Sequence, residues 1–336
     1  MLTVTLYTRE DCHLCDETRA HLKALQKKHP HRLVEVDIDS DPALVKAYAA
    51  DIPVVEVGPY KLKAPISSQA LAMTLGAADD RHTQLEEIGD EAYQARLRRG
   101  QSLSGGDRFY YWLARHYLAL LNLLVFLYVG LPFLAPTLME AGATGPARAI
   151  YTMYSPLCHQ FGFRSFFLFG EQPYYPAQAA GLQGVETFEQ ATGITGISDP
   201  TSYSRLLARQ FTGDAALGYK VALCERDVAI YGAMLAFGLV YGLVRRRMPG
   251  LPWALWILIG LGPIALDGFS QLFSQFDFAW LASILPYRES TPFLRTLTGF
   301  LFGFTTAWFA YPYLEESMQE TRQIFLKKFA VITAAK

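Results

Sequence analysis

The spacing of apolar positions changes character near residue 110. Before it, short alternating runs predict a mixed α/β unit; beyond it, long apolar stretches predict helices that are hydrophobic on every face. Residues 3–7 alternate and are rich in β-formers, which predicts a first strand. A helix should follow, with Leu14, Leu22 and Leu25 near one face and Arg19, Lys23 and Lys27 elsewhere. Residues 33–38 read as a second strand and 41–49 as a second helix opened by Pro42. Residues 54–57 and 60–63 read as a hairpin across Gly58-Pro59, and 67–75 as a closing helix. This unit spans residues 1–80. Residues 81–112 then read as a helical and flexible linker, with a charged helical run at 86–99 and a break at 102–106.

Apolar stretches at 117–135, 228–244, 251–273 and 293–313 are each close to the roughly 20 residues needed to cross about 30 Å of hydrocarbon. A soluble core helix is seldom apolar all round over such a length. The expectation is an all-α transmembrane domain over 113–316 with about four spanning helices. Arg96, Arg98, Arg99, Arg108 and Arg115 precede the first stretch, Arg245, Arg246 and Arg247 link the second and third, and Lys327 and Lys328 follow the fourth. The positive-inside rule puts all three regions in the cytoplasm. Both termini of this integral, multi-pass protein are then cytoplasmic, 137–226 is a long extracytoplasmic insertion and 317–336 a cytoplasmic tail. Residues 150–170, aromatic and apolar but carrying Arg164 and Pro156, read as an interfacial helix rather than a fifth span. Gly299 and Gly303 make a small-xxx-small pair suited to close helix approach.

Composition adds less. The averages, 51% hydrophobic and 18% charged, conceal the split between halves, and a net charge of −1 argues against a nucleic-acid-binding surface. No basic run followed by a short apolar run and a cleavage site opens the chain, so the first domain is expected to stay where it is made.

Chemistry enters with Cys12-His13-Leu14-Cys15, placed where the first strand runs into the first helix. A cysteine at a helix N-terminus meets unpaired amide N–H groups and the positive end of the dipole, which favour thiolate over thiol. Cys15, one turn on, is positioned to resolve a mixed disulfide formed on Cys12. The alternatives are half of a zinc site, for which this half holds no second cysteine pair, and an unreactive vestige. The order βαβαββα is that of the thioredoxin fold, and Ile52-Pro53 falls where such folds carry a cis-proline beside the active site. Residues 1 to about 78 resemble a glutaredoxin-family protein in the strand, the Cys12/Cys15 pair and Pro53. The resemblance implies Cys12 as nucleophile, Cys15 as resolving thiol and a cytoplasmic thiol reductant as partner. His13-Leu14 replaces the usual Pro-Tyr, and no Gly-Gly-x-Asp run follows Pro53 to hold glutathione.

In the second half, the charge-derived topology gathers polar groups at one depth: Arg164, Arg226, Asp227, Asp267, Gln271 and Arg295. Charges within a span are costly unless paired, so function or a partner is the default expectation, and an Asp267–Arg295 ion pair is the simplest structural account. For Cys158 and Cys224 three readings stand: a disulfide in an oxidising compartment, ligation of a metal ion or haem together with His159 and with Asp227 completing the set, and inert thiols. The ordered motifs Cys158-His159-Gln160, Arg164-Ser165, Cys224-x-Arg226, Asp267-Gly268-x-x-Gln271 and Arg295-x-x-Thr298-Gly299 resemble a predicted membrane-protein family of unknown function over residues 148–313.

Three functional classes follow. The first is a membrane-tethered thiol–disulfide oxidoreductase. The second is a membrane protein binding a metal or ligand at the outer cluster. The third is an accessory subunit docking with other membrane subunits. The lipid bilayer is the common partner.

Overall fold

In the computed structural model, the residues described are 2–89, 91–100, 102–199, 201–275 and 287–334, without the side chains of 96–98. The chain divides into two units, Met1–Tyr117 with Glu316–Lys336, and Leu118–Glu315.

The first unit has the predicted order: β1 (Leu2–Thr8), α1 (His13–Leu25), β2 (His31–Asp37), α2 (Pro42–Tyr48), β3 (Val54–Val57), β4 (Tyr60–Lys63) and α3 (Ser68–Glu87). The sheet order is β2-β1-β3-β4, with β1 parallel to β2 and antiparallel to β3. β1 is central, which explains why its last five residues are all buried rather than alternately so. One core joins Val4, Leu6, Val55 and Val57 to Leu22 of α1 and to Leu71, Leu75 and Ala78 of α3. A second joins Tyr7, Val36, Ile38 and Val54 to Leu44 and Tyr48 of α2, with the Tyr7 and Tyr48 rings stacked 4.2 Å apart. Local signals start the helices where the sequence says, although α3 runs on to Glu87, well past the expected end at residue 75. Pro42 opens α2 behind Asp41, whose carboxylate accepts from the Ala43 N–H at 2.8 Å, and Ser67 caps α3 through Ala70 N–H at 3.1 Å.

The linker continues as α4 (Glu91–Gly100), and α5 (Gly105–Glu140) starts inside the expected break. Ser104 and Asp107 exchange bonds there: the Ser104 N–H donates to the Asp107 carboxylate at 2.8 Å and the Asp107 N–H to Ser104 Oγ at 3.1 Å. That reciprocal cap fixes the helix start.

The second unit continues through α6 (Thr144–Tyr154), β5 (Ser165–Leu168), α7 (Phe188–Thr192), α8 (Tyr203–Gln210), β6 (Gly213–Asp214), β7 (Gly218–Cys224), α9 (Glu225–Leu243), α10 (Trp253–Phe273) and α11 (Pro292–Thr333). α10 contains a π-helical turn, Trp256–Leu261. α5, α9 and α10 are long and apolar enough to cross a membrane. Their large side chains point outward: Leu124, Phe126, Leu239, Leu243, Leu258, Leu266 and Phe269 are exposed. In water such a surface would be an aggregation liability, whereas lipid is its natural solvent. The fourth expected stretch, 293–313, lies in α11, a 42-residue helix. Arg295 and several threonines lower its hydropathy below that of the other three.

One expectation is corrected. Residues 150–170 form neither an interfacial helix nor a span: α6 stops at Tyr154, and after a loop the chain enters a 3₁₀ turn, Gly162–Arg164, and β5. The insertion is therefore a small folded element. β5-β7-β6 form an antiparallel sheet over an aromatic core of Phe163, Phe167, Tyr175 and Phe188. The C-terminal segment is helical and packed. Residues up to Thr333 continue α11, and Leu326 and Ala330 pack on the Tyr7–Tyr48 core of the first unit. Gln323 there donates to Ala43 O at 3.0 Å, and Lys327 Nζ lies 2.6 Å from Glu56.

The glycine pair does what small residues do in such helices. A Cβ at Gly303 would sit 2.1 Å from Ile230 O, and one at Gly299 2.7 Å from Arg226 O. α11 therefore touches the backbone of α9.

Candidate functional site

Cys12 and Cys15 are joined by a disulfide, with Cα atoms 5.2 Å apart. Cys12 is the N-cap of α1, and its carbonyl accepts from the Cys15 and Asp16 N–H groups at 2.9 and 3.1 Å. Cys12 is half-buried between exposed His13 and Leu14 and its neighbour Asp11, while Cys15 is fully buried. One sulfur is thus approachable and the other held behind it. The Ile52-Pro53 bond is cis. Val54 pairs with Tyr7, so Pro53 immediately precedes β3 at the end of the sheet from which β1 departs toward Cys12.

In the second unit, carboxylates and guanidinium groups form a buried network. Glu289 accepts two bonds from Arg164, at 2.7 and 2.9 Å, one from Gln271 at 2.6 Å and a further one from Arg295. Asp267 accepts from Arg226, from Arg288 at 2.8 Å, and from Ser290 Oγ on both oxygens, at 2.9 and 2.7 Å. Arg295 also lies 3.5 Å from Glu225, whose two carboxylate oxygens are buried without a hydrogen-bond partner. The expected Asp267–Arg295 pair does not form. Both Asp267 oxygens are occupied by Arg226, Arg288 and Ser290, and Arg295 turns to Glu289 and Glu225 instead.

A third constellation lies where β7 meets α9. Cys158 and Cys224 are free thiols, and with Asp227 they bring their ligand atoms within 4.8 Å of one another. The Cys224 N–H donates to Cys158 Sγ at 3.3 Å and the Asp227 N–H to Cys224 Sγ at 3.5 Å. A hydrogen bond between the two thiols pulls the Cys158 thiol below its ordinary pKa and pushes the Cys224 thiol well above, where burial adds to the rise. The turn carrying Cys158 is tightly held. Gln160, in a left-handed conformation at φ 52°, donates to Tyr151 O at 2.9 Å and Ala222 O at 3.0 Å. Lys220 Nζ donates to Gln160 O at 2.7 Å and Arg209 O at 2.6 Å. Burial brings the Lys220 amine down to about 7. Beside Cys158 opens a cavity of about 290 Å³ lined by Ser155, Pro156, Leu157, His159 and Arg209.

Residues 3–76 match the family model described as a glutaredoxin-like domain (DUF836), and residues 209–309 match the one described as a predicted membrane protein (DUF2085). The chain is a fusion of the two. An uncharacterized protein of Methanocaldococcus jannaschii is 25% identical over 206 residues, covering 60% of this chain and 93% of its own length. No solved structure gives a significant match.

The glutaredoxin-like domain therefore carries the Cys12/Cys15 pair, and the predicted membrane domain carries Cys224, Arg226, Asp227, Asp267, Gln271 and Arg295. His159 is not part of the cysteine cluster. Its ring is exposed and stacks on Phe161 at 5.7 Å, across the left-handed turn at Gln160. Of the three readings for Cys158 and Cys224, a disulfide, metal ligation and inert thiols, the structure has both sulfurs as free thiols. Glu289 belongs, with Arg288 and Ser290, to the polar groups expected at that depth, whereas Lys220 was missing from the site expected on sequence. Lys220 could have been found as a lone cation in the otherwise apolar Val221–Leu223 end of a strand.

Proposed function

We propose that this chain is a membrane-tethered thiol–disulfide oxidoreductase. The Cys12 thiolate attacks a substrate disulfide, forming a mixed disulfide and releasing one thiolate. Cys15 then attacks the Cys12 sulfur, releases the second thiol and leaves the Cys12–Cys15 disulfide, a two-electron transfer in all. A cytoplasmic thiol reductant returns the pair to the dithiol. Pro53 borders the substrate groove, and exposed His13 and Leu14 face the incoming chain. One observation carries the reading: a half-exposed cysteine caps a helix while its partner one turn later is buried. Both termini lie in the cytoplasm, on the strength of the arginine clusters around the spans. The test is reduction of insulin by the reduced, detergent-solubilised full chain. Turnover that vanishes in Cys12→Ser supports the assignment; a wild-type chain no faster than the uncatalysed reaction overturns it.

A second reading concerns the membrane domain, where Cys158, Cys224 and Asp227 would hold a metal ion. Their convergence supports it, since two sulfurs and a carboxylate are a donor set suited to zinc. Arg164, Arg226, Asp267, Gln271 and Arg295 serve there as the scaffold that fixes α9, α10 and α11 around the cluster.

A further inference from the structure

We propose that Cys158, Cys224 and Asp227 form an open three-ligand site for a thiophilic divalent ion, whose remaining position faces the adjoining cavity and takes an external monoanion. The proposal rests on the metal reading above and goes beyond it in naming what the ion would bind.

Three observations point to an open site. Among the described residues, the cluster has three ligand groups rather than four, and three protein ligands with an exchangeable fourth position are the usual arrangement of a zinc site that does chemistry. His159, the neighbour that would close it, is turned away to stack on Phe161. Cys158 itself lines the cavity of about 290 Å³, so a ligand on an ion held by Cys158 has room beside it. The wall of that cavity carries Arg209, whose Nη2 is fixed by Ser155 O at 2.8 Å and Ser155 Oγ at 2.7 Å. A guanidinium held in that way recognises a carboxylate, a thiolate or a small inorganic anion.

The ligands are already oriented. Backbone N–H groups point at both sulfurs, as they do around metal thiolates, where such donors set ligand orientation and charge. In tetrahedral zinc, bonds of about 2.3 Å to sulfur and about 2.0 Å to oxygen put the ligand atoms roughly 3.5–3.8 Å apart. The present limit of 4.8 Å requires only a small contraction. On binding, each thiol releases its proton to solvent and the ion gives up water. The anion later displaces the last bound water, with no change of oxidation state.

The test uses the full chain carrying Cys12→Ser and Cys15→Ser, which removes the competing dithiol, reduced and stripped of metal in detergent. Titration with Co²⁺ should give one equivalent of a cobalt–thiolate absorption, retained in His159→Ala and lost in Cys158→Ser. Should Cys158→Ser not fold, Asp227→Asn, with weakened binding, carries the same comparison. Azide added to the cobalt protein should then shift the visible bands, and Arg209→Met should weaken azide about tenfold, the loss of one charge-assisted hydrogen bond. Absence of a thiolate absorption overturns the metal reading together with this proposal. Cobalt binding with bands that do not move at high azide overturns the open site alone. Azide binding undiminished in Arg209→Met overturns the assignment of the cavity wall as the anion's partner.

Discussion

The chain holds two cysteine pairs in opposite settings. Cys12 and Cys15 are three residues apart, brought together by one turn of helix, with one sulfur half-exposed. Cys158 and Cys224 are separated by 66 positions and meet only because the Gln160 turn, β7 and the start of α9 are packed together. The first pair faces the end of a helix, where amide N–H groups favour a leaving or attacking thiolate. In the second, the thiol–thiol hydrogen bond, burial and the nearby Asp227 carboxylate all disfavour a Cys224 thiolate, a penalty that a shared cation would remove. Identical side chains are thus suited to electron-pair exchange in one place and to ligation in the other.

The sharpest way to break that comparison is by activity. Cys12→Ser should reduce disulfide reduction to the uncatalysed rate, whereas Cys158→Ser should leave it unchanged in a stopped-flow insulin or small-disulfide assay. Equal losses in both variants would mean that the pairs work as one system. Next in size is the scaffold of the membrane domain. Glu289→Ala strands Arg164 and Arg295 in a buried setting and should cost about 3–5 kcal/mol, the usual effect of removing one partner of a buried ion pair. Thermal unfolding in detergent reads it, and an unchanged midpoint would remove the network from the stabilising interactions. Gly303→Ala places a methyl group against Ile230 O and should cost about 1–3 kcal/mol, with the same measurement as the check.

The smallest effect lies in the glutaredoxin-like domain, where the C-terminal segment packs. Lys327→Ala removes a partly exposed ion pair with Glu56 and should cost no more than about 1 kcal/mol. Its pH dependence has a definite sign. Burial pushes the Glu56 carboxyl up, but the Lys327 and Lys61 ammonium groups outweigh it and hold the group below its ordinary range. The folded value is therefore below the unfolded one, and the charged form favours folding. The contribution is present above the ordinary carboxylate value of about 4.3 and is lost as pH falls through the folded value. The gap in melting temperature between wild type and Lys327→Ala should accordingly close on acidification. A gap that widens would contradict the assignment of Glu56 as the partner.

Much of the glutaredoxin-like domain was legible because its signals are local. Alternation in residues 3–7, Pro42 behind Asp41, Ser67 before α3 and the Cys-x-x-Cys spacing each act within a few residues, and the strands and helices appear where they point. The apolar stretches were legible for a related reason: a run of about 20 apolar residues is a statement about solvent, independent of neighbours. Residues 150–170 were misjudged because composition cannot tell an apolar helix from aromatic residues that fill the core of a small sheet. Phe163 and Phe167 belong to the latter.

The order of elements, the helix caps, the apolar spans and the cysteine beside the first strand were determined by the chain itself, since each depends on backbone propensity or solvent preference acting over short distances. Partner choice was decided only by the tertiary structure. Asp267 takes Arg226 and Arg288 instead of Arg295, His159 turns from Cys158 to Phe161, and Lys220 holds the turn beneath Cys158. Charges and ligands act over a few ångströms in space, and no spacing along a sequence specifies which of several opposite charges will arrive within that range.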